Sequence, residues 1–324
     1  MSSLFIVRSF FILSAIIFQS SFCPAQVREQ DMPSSQLILP NEHFKVPFTW
    51  KGDSINGQWE NYAAMLIPVK LVGCPKQFYM QFDAGAPYSL FYRNKLNAIS
   101  SQYPLAVHVP DSAVMKMELG FFVGKTKIVA HEMMLKQLGA TQINWDNSAV
   151  EIIGTLGTDF IGNKTVQIDY PGKKISIGYK IPEKSGLTLT DFIYANRSII
   201  LPALIKGKKT MLYFDSGSSA FELLTSKETA ATLALPGATP LTYPVSSWGK
   251  ILTATSYASG DSIEIAFRKM PLNRVTYIEG ASDAQVNRMM KMGIGGMTGN
   301  KLFLHSILVL DIKNKQFGIL NARH

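Results

Sequence analysis

The sequence predicts an all-β protein built as two similar halves. Three observations carry that expectation. Short runs rich in β-branched and aromatic residues recur between Gly, Pro, Asn and Lys turns, with few helical stretches. A strand–turn–strand–Asp unit occurs twice, as "IPVKLVGCPKQFYMQFDAGA" (67–86) and "LPALIKGKKTMLYFDSGSS" (201–219). Downstream of each lies a second repeated unit, "GTLGTDFIGNKTVQIDYPGKKISI" (154–177) and "GGMTGNKLFLHSILVLDIKNKQFGI" (295–319). Within it Gly157 precedes Asp169 by twelve residues, and Gly299 precedes Asp311 by the same twelve.

Taken in chain order, the first element is a leader. Arg8 gives a positive start, residues 9–18 are apolar, and Cys23 and Ala25 are small enough for cleavage after Ala25. The apolar run is too short to span a bilayer, and Phe22 argues against lipid attachment at Cys23. Residues 1–25 are thus expected to be removed on export. That leaves Cys74 alone, without an internal disulfide. The first half, 26–182, carries strands at "MLIPVKLV" (65–72), "TKIVAHEMML" (126–135), "TVQIDY" (165–170) and "KKISIGY" (173–179). "KIPEKSGLTLTDF" (180–192) is the seam. The second half, 183–324, carries a helix at "SKETAATLAL" (226–235) and strands at "SIEIAF" (262–267), "NRVTYI" (273–278) and "SILVLDI" (306–312). "YPGKK" and "IKNKQ" read as hairpin turns.

Composition narrows the function. A chain of 324 residues, 47% hydrophobic and only 17% charged, can bury a large core and is not disordered. The net charge of +9 is spread over scattered Lys and Arg rather than a basic block, so no nucleic-acid partner is expected. The five His are dispersed, and "HEMML" (131–135) lacks the second His of a zinc protease motif. Neither a metal nor a cofactor is expected, and no later segment is long and apolar enough to span a membrane.

"FDAGA" (82–86) and "FDSGSS" (214–219), each followed by an apolar strand holding Gly, "IIG" (152–154) and "IGG" (294–296), and then "GTDF…VQIDY", resemble the bilobal aspartic proteases of the pepsin/retropepsin superfamily. The resemblance covers about residues 45–320. It implies a two-lobed fold with pseudo-twofold symmetry, the seam separating the lobes. It also implies an aspartic endopeptidase whose catalytic pair is Asp83 and Asp215. Gly85 and Gly217 would let the two loops approach. The Ser216 hydroxyl would reach the opposite loop, and Ser218 would hydrogen-bond Asp215. The implied substrate is a peptide or unfolded protein, extended across the cleft of a monomer that needs no cofactor. With the leader, the implied location is periplasmic or secreted.

Such chemistry needs two carboxyls because a close pair cannot ionise twice cheaply. One takes a proton from water while the other donates to the carbonyl oxygen. The sequence departs from the family pattern at Ala84 and Ala86, where hydroxyls are usual or frequent. Half of the crossed hydroxyl pair is therefore missing, and Asp83 is expected to ionise less readily than Asp215. The rival expectations are the same fold binding peptides without cleaving them, with Ala84 as its sign, and an unrelated β-rich glycan-binding surface protein whose Asp-Gly loops are turns. A covering flap is expected near "YPLAVHVPDSAV" (103–114), with Tyr103 and His108 as candidates and Trp248 as a second-lobe cleft residue. Asp159, Asp169 and Asp311 are expected to serve structure at the closing turns.

Overall fold

The computed structural model describes residues 37–55, 57–183, 185–247, 250–279 and 293–321. The expected leader and Trp248 lie outside the described residues. The first half contains β1 (Leu37–Ile38), β2 (Phe44–Pro47), β3 (Thr49–Ile55), β4 (Gln58–Leu71), β5 (Phe78–Phe82), β6 (Leu90–Tyr92), α1 (Arg93–Gln102), β7 (Lys116–Val123), β8 (Thr126–Lys136), β9 (Ile152–Leu156), β10 (Thr165–Asp169) and β11 (Lys174–Ile177). The second contains β12 (Thr190–Asp191), β13 (Ile193–Ala195), β14 (Ser198–Ile205), β15 (Lys208–Phe214), β16 (Leu224–Thr225), α2 (Lys227–Leu233), β17 (Leu241–Ser247), β18 (Lys250–Ala258), β19 (Ser262–Ile265), β20 (Arg268–Pro271), β21 (Arg274–Glu279), β22 (Ile294–Thr298), β23 (Ser306–Asp311) and β24 (Gln316–Asn321).

Each half builds its own sheet around the same kernel. In the first, β5 runs parallel to β9, which is antiparallel to β6, which is parallel to β8. In the second, β15, β22, β16 and β21 repeat those relations. Even the irregularities match: the β5–β9 register shifts between Tyr79 and Met80, and the β15–β22 register between Met211 and Leu212. Both shifts begin four residues before the Asp that follows the strand. The central strands are buried on both faces, so they read as nearly continuous apolar runs rather than alternating ones.

A third sheet joins the halves. Its order is β12-β24-β23-β10-β11-β2, and its central pair is β10 against β23, antiparallel from Thr165↔Asp311 to Asp169↔Ile307. Three strands come from each side of the expected seam, which falls between β11 and β12. At this junction the fully buried Tyr170 is stacked between Trp50 and Phe303, with ring centroids 6.3 and 6.2 Å away. Its hydroxyl donates to Asn300 Oδ1 at 2.9 Å, so the phenol is satisfied where it is buried.

The helix expected at 226–235 is α2, opened by Ser226, whose Oγ accepts from the Thr229 N–H at 3.1 Å. The sequence reading contained no counterpart of α1. Leu96 and Ile99 bury its core face, but Arg93 and Lys95 are buried beside them and blur the apolar stripe. Lys95 reaches Glu151 at 2.6 Å, and Arg93 is spent on backbone carbonyls.

Candidate active site

Asp83 and Asp215 each stand at the exit of a parallel strand. The Asp83 N–H donates to Leu156 O and the Asp215 N–H to Thr298 O, both at 2.9 Å. Each carboxylate then caps its own loop. Asp83 Oδ1 accepts from the Gly85 N–H at 3.0 Å and the Ala86 N–H at 3.1 Å. Asp215 Oδ1 accepts from the Gly217 N–H at 2.8 Å and the Ser218 N–H at 3.3 Å. These local bonds are why Asp-X-Gly makes a tight turn here rather than a solvated loop.

The fold brings the two carboxyls together. A methyl on Gly217 would lie 2.5 Å from Asp83 Oδ1 and 2.6 Å from its Cγ, so only glycine admits the opposite carboxyl. Both aspartates are fully buried, and their side chains share a hydrogen bond. Burial first, and the charge of Asp83 second, push the Asp215 carboxyl well above the ordinary aspartate range, against the opposing Ser218 hydroxyl and Gly217 N–H. The pair thus retains a proton where isolated aspartates have lost theirs. The ordering expected from the sequence, with Asp83 the harder to ionise, receives no support from this upward push on Asp215.

The supporting residues lie where the motifs placed them. Ser216 Oγ accepts from the Ala84 N–H at 2.7 Å and donates to Phe82 O at 3.0 Å, crossing from one lobe to the other. Ser218 Oγ donates to Asp215 Oδ2 at 2.8 Å. Ala84 and Ala86, both buried, return no hydroxyl. Behind the loops, Thr158 donates to Ala86 O through its N–H at 2.8 Å and its Oγ1 at 3.2 Å. Asn300 Nδ2 donates to Ser216 O at 2.9 Å and Ser219 Oγ at 3.0 Å.

Asp159, Asp169 and Asp311, expected to serve structure, brace backbone and side chains outside the pair. Asp159 Oδ1 accepts from the Ser89 N–H at 2.9 Å and Oγ at 2.6 Å. Its buried Oδ2 has no hydrogen-bond partner, and burial pushes its carboxyl upward. Asp169 accepts from the Gly172 N–H at 2.8 Å, and Asp311 from Asn314 Nδ2 at 2.8 Å.

The flap expectation needs correction. Residues 103–115 form no hairpin. Arg93 holds them as a loop by donating to Pro110 O at 2.8 Å and to Val114 O. His108 is exposed, and Tyr103 packs on Trp145 at 5.2 Å. Beyond that loop the first lobe makes a hairpin of β7 with β8, and the second lobe makes an extended hairpin after its helix, β17 with β18. Its buried Tyr243, Val245 and Ala254 share an apolar cluster with Phe221, just beyond the Asp215 loop.

Sequence reading also missed the ties between lobes. Tyr213 Oη donates to Gly85 O at 3.2 Å, Arg197 donates to Pro87 O at 3.2 Å and stacks on Tyr88, and Lys301 meets Glu60 at 2.5 Å. Tyr213 was detectable, because residues two apart in a strand share a face and Tyr213 precedes Asp215 by two.

No family model matches the sequence, and no curated protein matches it. Among solved structures, the aspartic proteinase from Irpex lacteus superposes with a TM-score of 0.50 at 12% sequence identity, over 87% of this chain and 98% of that one. The chain therefore has the two-lobed, mostly β fold of the pepsin-like aspartic proteinases.

Proposed function

We propose that the chain is an aspartic endopeptidase in which Asp83 and Asp215 activate a water against a peptide bond. The observation that carries this is the meeting of two fully buried, hydrogen-bonded carboxyls, each at the end of an equivalent strand in a pepsin-like fold. One carboxyl holds the shared proton and donates it to the substrate carbonyl oxygen. Its ionised partner takes a proton from the attacking water. The loop N–H groups of Gly85 and Gly217 each hold one oxygen, Oδ1, of their own carboxyl. An extended peptide or unfolded segment between the lobes is the substrate that suits this arrangement, and no cofactor enters the scheme. Export belongs to the same proposal, with a mature chain beginning near Gln26. Among the described residues no helix is long and apolar enough to cross a membrane.

The test is incubation with a mixed peptide library across pH 3–8, with and without a statine-type inhibitor. Inhibitor-sensitive cleavage is expected. Inhibitor binding without cleavage would instead favour a peptide-binding protein on this fold. N-terminal sequencing of exported material tests the leader.

A further inference from the structure

We propose that Tyr213 is a positioning residue for the carboxyl pair: its phenol crosses from the second lobe to the Gly85 carbonyl and supplies a lobe-crossing bond in place of the one that Ala84 cannot make. The proposal rests on the endopeptidase reading for its kinetic arm and on geometry alone for its structural arm.

Four observations meet at this side chain. Tyr213 lies on β15 two residues before Asp215, so its side chain emerges on the same face of the strand. Its hydroxyl is buried and donates to Gly85 O at 3.2 Å, with Ser198 Oγ at 3.4 Å as a second neighbour. Gly85 is the residue whose N–H holds Asp83 Oδ1 at 3.0 Å, so fixing its carbonyl fixes the peptide that orients that carboxyl. Ser216 secures the same loop one residue earlier, through the Ala84 N–H and Phe82 O. Three backbone groups of one first-lobe loop, the Phe82 carbonyl, the Ala84 amide and the Gly85 carbonyl, are thus held by two second-lobe hydroxyls. From the first loop no hydroxyl can return, because residues 84 and 86 are alanines. A loop with neither of its own hydroxyls would be free to shift by tenths of an ångström, and proton transfer is sensitive to such shifts. The equivalent first-lobe position, two before Asp83, is Gln81, which is buried and has no phenol.

Tyr213→Phe keeps the buried ring and removes only the oxygen, so the core is not emptied. The expected result is a fall in kcat of about fivefold to tenfold with KM within about twofold, as for the loss of one hydrogen bond that matters in the transition state. The acidic limb of the pH–rate profile should move toward neutral, because a looser Gly85 N–H stabilises the Asp83 carboxylate less. The second readout needs no turnover: the carboxyl carbons of the pair are titrated by NMR in aspartate-labelled protein, with Asp83→Asn and Asp215→Asn giving the assignments. Tyr213→Phe should move that titration upward. Ser198→Ala should leave rate and titration as in the parent, since the contact to Gly85 survives. Adding Ala84→Ser to Tyr213→Phe should recover part of the loss. Unchanged kcat and titration in Tyr213→Phe, even with a lower Tm, would make the tyrosine merely structural and overturn the proposal. So would Ser198→Ala reproducing the effect, or an Ala84→Ser combination that recovers nothing. Should the parent protein cleave no peptide, the endopeptidase reading falls while the carboxyl titration still decides the role of Tyr213.

Discussion

The two aspartate loops share a backbone and differ in their side chains. Both aspartates tie their N–H to the neighbouring strand at 2.9 Å, and both cap the amides two and three residues further along their own loop at 2.8–3.3 Å. Yet Ser216 and Ser218 stand where the first loop has Ala84 and Ala86. The main chain alone suffices to set a carboxyl at the end of a strand. What the hydroxyls add is coupling between lobes and a bias on the charge of one carboxyl. Here both come from the second lobe, which holds the first loop without being held in return by a loop hydroxyl.

The largest effect should fall on what the loops share. Asp83→Asn and Asp215→Asn should each cut peptide cleavage by about a thousandfold or more while the fold survives, because each removes half of one acid–base unit. Near-normal turnover in either variant would break the equivalence of the two loops. Circular dichroism and Tm on the same preparations separate lost chemistry from lost structure.

Much of this was legible in the sequence, for physical reasons. Asp83, Asp215, Gly217, Ser216 and Ser218 act through contacts within a few residues or through a symmetric copy of themselves, so the repeat exposes them. The strands at 165–170, 173–179 and 306–312 carry strong β-branched patterns between clear turns and fold as expected. The misses are long-range or disguised. α1 hides its stripe under buried Arg93 and Lys95, whose partners Pro110 and Glu151 are remote in sequence. The first-lobe flap implied by the resemblance is not formed at 103–114, because Arg93 clamps that segment as a loop and the first-lobe hairpin, β7 with β8, starts only at Lys116. Tyr213 reads as one more strand aromatic until the opposite loop is in view.

The next effect concerns the one-way crossing. Ser216→Ala removes a donor to Phe82 O and leaves the buried Ala84 N–H without its acceptor. An unsatisfied buried amide costs about 1–3 kcal/mol, which for a chain of this size lowers Tm by roughly 5 °C. Scanning calorimetry at fixed pH measures it. A loss below about 1 °C would show that the lobes do not rely on this contact.

A smaller effect tests the charge bias. Ser218→Ala deletes the hydroxyl that donates to Asp215 Oδ2, a bond that favours the carboxylate. The pair should then keep its proton to higher pH, and the acidic limb of kcat/KM should move toward neutral by about half a unit to one unit. A shift toward acid would mean that Ser218 does not stabilise the carboxylate it touches.

The smallest effect comes from making the loops alike. Ala84→Thr with Ala86→Ser gives the first loop the hydroxyls it lacks, and two stability consequences follow with opposite hazards. If both find partners, each adds about 1 kcal/mol. If the loop has closed around the two methyls, which are buried, the larger side chains overpack it and Tm falls. The pH dependence tells these apart. Asp215 has its carboxyl raised in the folded state, so the fold binds a proton that the unfolded chain has released. Stability from this pair is therefore full below about pH 4, the ordinary aspartate value, and declines as pH rises through the window up to the pair's raised value. Asp159, also raised by burial, contributes in the same direction and is common to all variants. A Ser at 86 that donates to Asp83 stabilises the charged pair, so the decline in Tm between about pH 4 and neutrality should become shallower and the pH–rate profile should move toward acid. Asp215→Asn, which cannot titrate at that site, sets the limit of a shallow decline. A double variant that is well folded yet keeps the parent's slope in Tm against pH would show that side-chain hydroxyls at the first loop do not govern the proton of the pair, and that the backbone amides common to both loops set it alone.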